Sequence, residues 1–290
     1  MVNVSLFASA VRPKLWESFL KSFEGTSVDI EVVFAGNSKE INLPNKIGKE
    51  LNFKYILTEN IKPAQCYEIA RRGCTGECIM WVADDCEFPN DVVGKAYNYW
   101  KSQNNEKLIL SIQTKESGYQ NVHGTLFNMN NHRFFGGDPN TPLMAPLCLM
   151  SRKFLNDLGG YDQRYVSGQT ENDILMRAYT EGAICEIFGN ENCFIDIDHL
   201  RKSIEIGECT NDSDFRDRPF AKGYEEDRSI LQRSWCTLNN QKLNILRLQG
   251  VRSFMPSQIF DISPTQLDEF QPYPSEIPLD HSLSNKGIWD

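Results

Sequence analysis

The stretch Cys78-Ile-Met-Trp-Val-Ala-Asp-Asp85 decides the expected fold of this chain of 290 residues. Residues 78–83 form an uninterrupted apolar run, which is typical of a central strand covered on both faces of a parallel sheet. Asp84 and Asp85 follow directly where that strand ends. Because ligands of open α/β sheets bind just beyond the carboxyl ends of the strands, we predict a ligand site at these two carboxylates.

Upstream of this stretch, the sequence alternates short strands with helices. Residues 2–8 predict a first strand, and Arg12-Pro13 then opens a helix whose apolar side chains recur at helical spacing. Further strands are predicted over 30–35 and 52–57, and a helix begins at Lys62-Pro63. Such alternation predicts βαβ units and a mostly parallel central sheet, which is an α/β fold class.

Downstream, a loop-rich insertion over about 111–142 precedes more strands and helices. Strands are predicted over 145–150, 185–188 and 193–197, and helices over 153–158 and 171–180. The pattern changes beyond about residue 205, where a charge-dense segment, a predicted helix over 229–248 and a Pro-rich tail follow. We therefore expect a domain over residues 1–205, and a C-terminal helical and irregular extension over 206–290 packed on it.

The composition is that of a globular protein, with 40% hydrophobic and 24% charged residues and a formal net charge of −9. This acidic balance argues against nonspecific attraction to nucleic acid or to an anionic membrane. The longest apolar stretch, residues 142–150, falls short of the roughly 20 residues that a membrane helix needs. Residues 1–10 lack the basic region of an export signal. We expect a cytoplasmic protein with no transmembrane segment and no nucleic-acid partner.

The nine cysteines include no pair with C-x-x-C spacing. A structural zinc site would need closer pairs of ligands. We expect reduced thiols that are mostly buried, since free cysteine packs as a small hydrophobic side chain.

The pair Asp84-Asp85 is the strongest chemical signal. Two adjacent carboxylates at a strand end can bind a divalent cation, which prefers oxygen ligands and can bridge substrate phosphates. The alternative is a solvated turn, where aspartate is common.

Two weaker signals follow. Glu171 and Asp173 fall at the start of a predicted helix, either as functional acids or as a helix cap in which Asp173 pairs with Arg177. His199 follows a late strand, and it is either a ligand or a structural histidine. The neighbouring Arg201-Lys202 either contacts phosphate or lies in a solvated loop.

Taken in order, these features resemble the family 2 glycosyltransferases, which have the GT-A fold, a Rossmann-like fold of nucleotide-diphospho-sugar transferases. The resemblance rests on the Asp-Asp strand end, the turn Leu158-Gly-Gly-Tyr-Asp162, an acidic residue six before Arg177, and His199. It also includes Lys62-Pro-Ala-Gln65 and covers about residues 2–205.

The resemblance implies a role for each matched residue. Asp85 would hold a divalent metal, Mn²⁺ or Mg²⁺, that bridges the donor diphosphate, and Asp84 would contact the nucleoside or the metal shell. His199 would complete that shell. Glu171 would be the general base that removes the proton of the acceptor hydroxyl. The implied function is metal-assisted, inverting transfer of a sugar from a nucleotide-sugar donor to a glycan or other hydroxyl acceptor.

The sequence departs from the family pattern at three places. Val82 replaces a frequent acid two residues before Asp84, Thr170-Glu171 replaces the usual Glu-Asp, and Ala35-Gly36-Asn37 replaces an aspartate that reads the base. Two alternatives therefore stay open. One is a sugar-1-phosphate nucleotidyltransferase, which would need a Gly-rich loop that residues 9–12 do not supply. The other is a non-catalytic relative that binds a nucleotide-sugar or a carbohydrate.

Overall fold

A computed structural model of the chain describes residues 2–39, 51–59, 61–115, 147–189, 192–197, 199–207, 223–235 and 269–276. Most of the predicted insertion over 111–142 lies outside the described residues. Among the described residues, no helix is long and apolar enough to span a membrane.

Seven strands form one sheet and two short strands form another. The strands are β1 (Val4–Ser9), β2 (Ile30–Gly36), β3 (Asn52–Leu57), β4 (Cys78–Trp81), β5 (Leu108–Ile112), β6 (Thr114–Lys115), β7 (Cys148–Ser151), β8 (Ile184–Phe188) and β9 (Ile195–Asp196). The large sheet has the order β3-β2-β1-β4-β7-β5-β8, and β6 pairs with β9. Only β7 runs antiparallel to its neighbours in the large sheet, so the predicted mostly parallel sheet is confirmed.

Helices connect and cover these strands. They are α1 (Trp16–Lys21), α2 (Pro63–Arg72), α3 (Val92–Gln103), α4 (Arg152–Asp157), α5 (Thr170–Thr180), α6 (His199–Glu205) and α7 (Tyr224–Trp235). Proline at the first position begins α2, since its fixed φ suits a helix start and its missing N–H would have no partner there. A 3₁₀ turn over Pro13–Leu15 precedes α1, so the helix predicted from Pro13 begins three residues later as an α-helix.

Three elements differ from the sequence prediction. The strand β4 ends at Trp81 because the carbonyl of Ala83 accepts the N–H of Cys86 at 3.2 Å and closes a turn. The strand β9 has two residues instead of the predicted 193–197. The helix α7 begins before the predicted residue 229, and its predicted end at 248 lies outside the described residues.

The core lies on both faces of the large sheet. The helix α1 buries Trp16, Phe19 and Leu20, and the rings of Trp16 and Phe34 on β2 are 5.3 Å apart between centroids. Each such buried side chain stabilises the fold by about 1.5–3 kcal/mol. Six cysteines within the described part of the chain are free and buried, as predicted for them.

Close contact between strand ends fixes the loop after β1. A Cβ atom added to Gly36, the last residue of β2, would lie 1.8 Å from the carbonyl oxygen of Ala10. Only glycine fits there, so the backbone that follows β1 can cross the end of β2. Gly36 is the middle residue of the departure Ala35-Gly36-Asn37, and the close approach excludes a side chain at that one position.

Described parts of the C-terminal region contact the sheet domain. The guanidinium of Arg72 at the end of α2 donates to the carbonyl oxygens of Tyr273, Pro274 and Ser275 at 3.1, 2.6 and 2.6 Å. The ring of Phe270 lies 4.1 Å from the guanidinium carbon of Arg177 on α5. We call residues 269–276 the C-terminal strap. The division of the chain at residue 205 stays a prediction.

Candidate active site

The carboxyl ends of β1 and β4 lie side by side, because Phe7 and Trp81 are partners in the parallel pairing of these strands. The loop after β1 therefore meets the turn after β4. Asp84 and Asp85 lie at this edge of the sheet, as predicted, and both side chains are buried.

Asp84 joins the two loops. Its Oδ2 accepts the backbone N–H groups of Val11 and Arg12, both at 2.7 Å, and the indole N–H of Trp16 at 3.0 Å. Its Oδ1 accepts Nε of Arg12 at 2.8 Å. A carboxylate offers about four acceptor positions, so these bonds use most of the capacity of Asp84. The alternative of a solvated turn is wrong for this residue.

Asp85 is held from two sides. Its Oδ2 pairs with Nη1 of Arg12, and its backbone carbonyl accepts Nζ of Lys202 at 2.6 Å. Lys202 is 2% exposed and also donates to the carbonyl of Asp196 at 3.1 Å. Lys202 therefore joins α6 to the end of β4, and it lies in a buried helical position instead of a solvated loop.

The described side chains do not fit a divalent cation between Asp84 and Asp85. The guanidinium of Arg12 bridges the two carboxylates, and a cation placed there would meet a like charge. Within the described ranges, no group of three or more His, Cys, Asp or Glu residues could hold a metal ion. His199, the other predicted ligand, is the first residue of α6, and its side chain lies outside the description.

Glu171 is in a very different environment. It lies in the first turn of α5 and is half-buried, and its Oε2 accepts the hydroxyl of Thr170 at 3.1 Å. Burial raises the pKa of Glu171 above the usual 4.5, and the negative charge of Asp227 raises it further. A carboxylate with a raised pKa is a stronger base, which suits a general base near neutral pH.

Tyr67 on α2 packs against the end of β4 and against the turn that precedes α5. Its hydroxyl donates to the carbonyl of Val82 at 3.0 Å, and its ring stacks on Tyr161 with centroids 5.8 Å apart. Burial raises the pKa of Tyr67, and the charges of Glu171 and Asp84 raise it as well. The Val82 side chain itself is fully buried in the core, a setting that suits an apolar residue better than the acid it replaces.

Asp227 on α7 holds the loop that leads to Glu171. Its carboxylate accepts the backbone N–H groups of Val166 at 2.8 Å, Ser167 at 2.7 Å and Gly168 at 2.7 Å. The next residue, Gln169, has a left-handed φ of 61°, a conformation that costs of the order of 1 kcal/mol or more for a residue with a side chain. The contacts of Asp227 help to hold this strained turn at the start of α5.

Asp173 has the structural role. Its Oδ2 accepts Nε of Arg177 at 2.8 Å, and Nη2 of Arg177 donates to the carbonyl of Gly160 at 2.6 Å. The predicted pair at i and i+4 is therefore confirmed. It fixes α5 against the Gly159-Gly160 turn.

The sequence interpretation missed Arg12, Tyr67 and Asp227 as residues of the site. The sequence contained a signal for Arg12. It follows the first strand, and residues that follow neighbouring parallel strands lie at the same edge of the sheet, where Asp84 and Asp85 are also found. Asp227 had none, since the chain between 208 and 222 separates it from every recognisable motif.

A mostly parallel sheet with one antiparallel strand, and with acidic residues just after β4, is consistent with the GT-A class of α/β folds. No family model matches the sequence, and no curated protein matches it. Solved structures do match, and they are GT-A-type glycosyltransferases.

Crystal structures of Staphylococcus aureus TarS are among these matches. The first has a TM-score of 0.53 and 15% identity, and the match covers 70% of this chain and 38% of that chain. TarS 1-349 has a TM-score of 0.51 and 15% identity, with 71% and 63% covered. TarS 1-349 in complex with UDP-GlcNAc has a TM-score of 0.50 and 14% identity, with 68% and 58% covered. The chain thus spans less than two thirds of these structures, and it shares the GT-A fold with them.

Proposed function

We propose that the chain is a glycosyltransferase that binds a nucleotide-diphosphate sugar at the edge formed by the ends of β1 and β4. One observation carries the proposal. Asp84 and Asp85 are buried just beyond the end of β4, at the edge where open α/β sheets bind their ligands, in a sheet of the GT-A fold. TarS, which shares the fold, has been crystallised with UDP-GlcNAc, and this supports a nucleotide-sugar donor here.

In the proposed reaction, Glu171 takes the proton of an acceptor hydroxyl while that oxygen attacks the anomeric carbon of the sugar. The bond between the anomeric carbon and the donor diphosphate breaks, and the nucleoside diphosphate leaves with the electron pair. Attack from the face opposite the leaving group inverts the configuration. Glu171 ends protonated, and its raised pKa favours that state.

Several finer predictions accompany this proposal. Membership of family 2, a glycan or other hydroxyl acceptor and a cytoplasmic location stay predictions. Assistance by Mn²⁺ or Mg²⁺ with His199 as a ligand is expected from the sequence alone, and the Arg12 guanidinium between Asp84 and Asp85 argues against it. The reaction above uses only the chain's own residues, because the described side chains around Asp85 do not fit a metal.

The second candidate is a non-catalytic protein that binds a nucleotide-sugar. The hydrogen bonds of Asp84 favour it, since a carboxylate bound by two backbone N–H groups, an indole and a guanidinium has a structural role that needs no catalysis. The two candidates differ in turnover and in their sensitivity to the loss of Glu171.

Thermal unfolding with a panel of UDP-, GDP-, dTDP- and CMP-sugars in the presence of Mn²⁺ tests donor binding, since a ligand that binds only the folded state raises the melting temperature. We expect one nucleotide to raise it in the wild type and in Asp157→Asn, a control on the exposed part of α4, but not in Asp85→Asn. Release of the nucleoside diphosphate from that donor tests catalysis. No shift with any nucleotide contradicts the proposal, and a shift without release in the presence of mixed glycan acceptors favours the second candidate.

A further inference from the structure

Arg12 holds a positive charge where the fold class leads one to expect a metal ion. Its Nε and Nη2 atoms lie 2.8 and 2.6 Å from Oδ1 of Asp84, and its Nη1 pairs with Oδ2 of Asp85. One guanidinium thus contacts both carboxylates of the predicted donor site.

The position of Arg12 is fixed by its backbone as well as by its side chain. Its own backbone N–H donates to Oδ2 of Asp84 at 2.7 Å, and the following Pro13 begins the 3₁₀ turn that leads into α1. If the guanidinium moved away, two buried carboxylates would lose their charged partner, and an unpaired buried charge costs several kcal/mol of stability. Arg12 is therefore a built part of this edge.

The Arg12 side chain is not closed off from solvent. The side chain of Arg12 is 14% exposed, so part of it reaches the solvent at the ligand-binding edge of the sheet. A planar guanidinium matches the oxygens of a phosphate, and charge-assisted bonds of this kind are among the strongest in proteins.

We propose that Arg12 supplies the positive charge that faces the donor diphosphate, so that donor binding at this site needs no divalent cation. This inference rests on the proposed function, because it assumes a nucleotide-diphosphate donor. In this proposal Asp84 and Asp85 position the Arg12 guanidinium, and Asp85 is not a metal ligand as the sequence predicted.

Thermal unfolding of the full chain with the UDP-, GDP- and dTDP-sugars, in EDTA and in Mn²⁺, tests the inference without any variant. We expect the same nucleotide to raise the melting temperature by the same amount in both buffers. A shift that occurs only in Mn²⁺ overturns the inference and leaves the proposed function intact. No shift in either buffer contradicts the proposed function, and the inference falls with it.

Variants of Arg12 sharpen the result. We expect Arg12→Lys, which keeps the charge but loses the planar fork, to weaken nucleotide binding in EDTA about tenfold by titration calorimetry, which is roughly the loss of one good charge-assisted bond. The control Arg233→Ala, on the exposed face of α7, leaves the affinity unchanged. Wild-type affinity in a folded Arg12→Lys or Arg12→Ala variant overturns the inference.

Discussion

The two acidic regions of the site use the same functional group in opposite ways. Asp84 and Asp85 share the Arg12 guanidinium, and Asp84 also accepts three further N–H groups, so much of their charge is compensated within the fold. Glu171 has a hydroxyl partner and a second carboxylate, Asp227, acting on it, and burial raises its pKa. A compensated carboxylate stabilises structure, whereas an uncompensated one is ready to accept a proton.

The largest expected effect is the loss of the Asp84 carboxylate. Asp84→Ala should lower the free energy of unfolding by about 3–5 kcal/mol, because it leaves a buried guanidinium and several N–H groups without their acceptor. Urea unfolding measures the loss. Asp157→Ala, which removes an exposed ion pair within α4, should cost about 0.3–0.5 kcal/mol. Equal losses of unfolding free energy in the two variants would contradict the structural role of Asp84.

A smaller effect is expected at Asp227, which supports the other region. Asp227→Asn should cost about 1–3 kcal/mol, since the amide loses part of its capacity to accept three backbone N–H groups. It should also lower the rate of nucleoside diphosphate release, because the loop before Glu171 loosens. Glu226→Gln, one residue earlier and exposed, is the matched control for both measurements. An Asp227→Asn variant that is destabilised but keeps its wild-type rate would limit Asp227 to a structural role.

Much of this architecture was predictable from the sequence because the signals are local. The apolar run before Asp84 and the proline at the start of α2 depend on residues next to each other in the chain, and the structure confirms the parallel edge that they predict. The antiparallel direction of β7 was not predictable, because the residues just before it gave no sign of the direction in which the chain returns.

The parts of the site that the sequence interpretation missed depend on distant contacts. Arg12 and Asp84 are 72 residues apart in the chain, and Asp227 lies 59 residues from Gly168. Neither pairing leaves a spacing pattern. The sequence showed which carboxylates matter, but it did not show which groups lie beside them. Those neighbours distinguish Asp85, which pairs with Arg12, from Glu171, whose pKa is raised by burial and by Asp227.

A modest effect is expected where the C-terminal strap meets α2. Arg72→Ala should cost about 1 kcal/mol, since its bonds to the carbonyls of 273–275 are partly exposed to solvent and Glu68 keeps its pairing with Arg71. Nucleotide binding should not change, because the described bonds of Arg72 go to Glu68 and to the strap. Lys21→Ala, in an exposed ion pair on α1, is the control for thermal unfolding. A loss of nucleotide binding in Arg72→Ala would show that the strap acts on the site.

The smallest effect on stability is expected at Glu171 and depends on pH. Because its pKa is raised in the folded state, its contribution to stability is complete below the unfolded pKa and is lost as the pH rises through the folded pKa. Glu171→Gln should therefore have a melting temperature slightly above that of the wild type at pH 7, and the gap should close toward pH 4.5. A wild type that is more stable than Glu171→Gln at pH 7 would contradict the raised pKa.

The most direct test of the central claim compares Glu171→Gln with Asp85→Asn for nucleotide binding and for release of the nucleoside diphosphate. We expect Glu171→Gln to bind the nucleotide as the wild type does and to lose about 10²–10⁴-fold in turnover, the usual contribution of a general base. Asp85→Asn should lose nucleotide binding. Wild-type turnover in Glu171→Gln would contradict the assignment of Glu171 as the base and, with it, the division of labour between the two acidic regions.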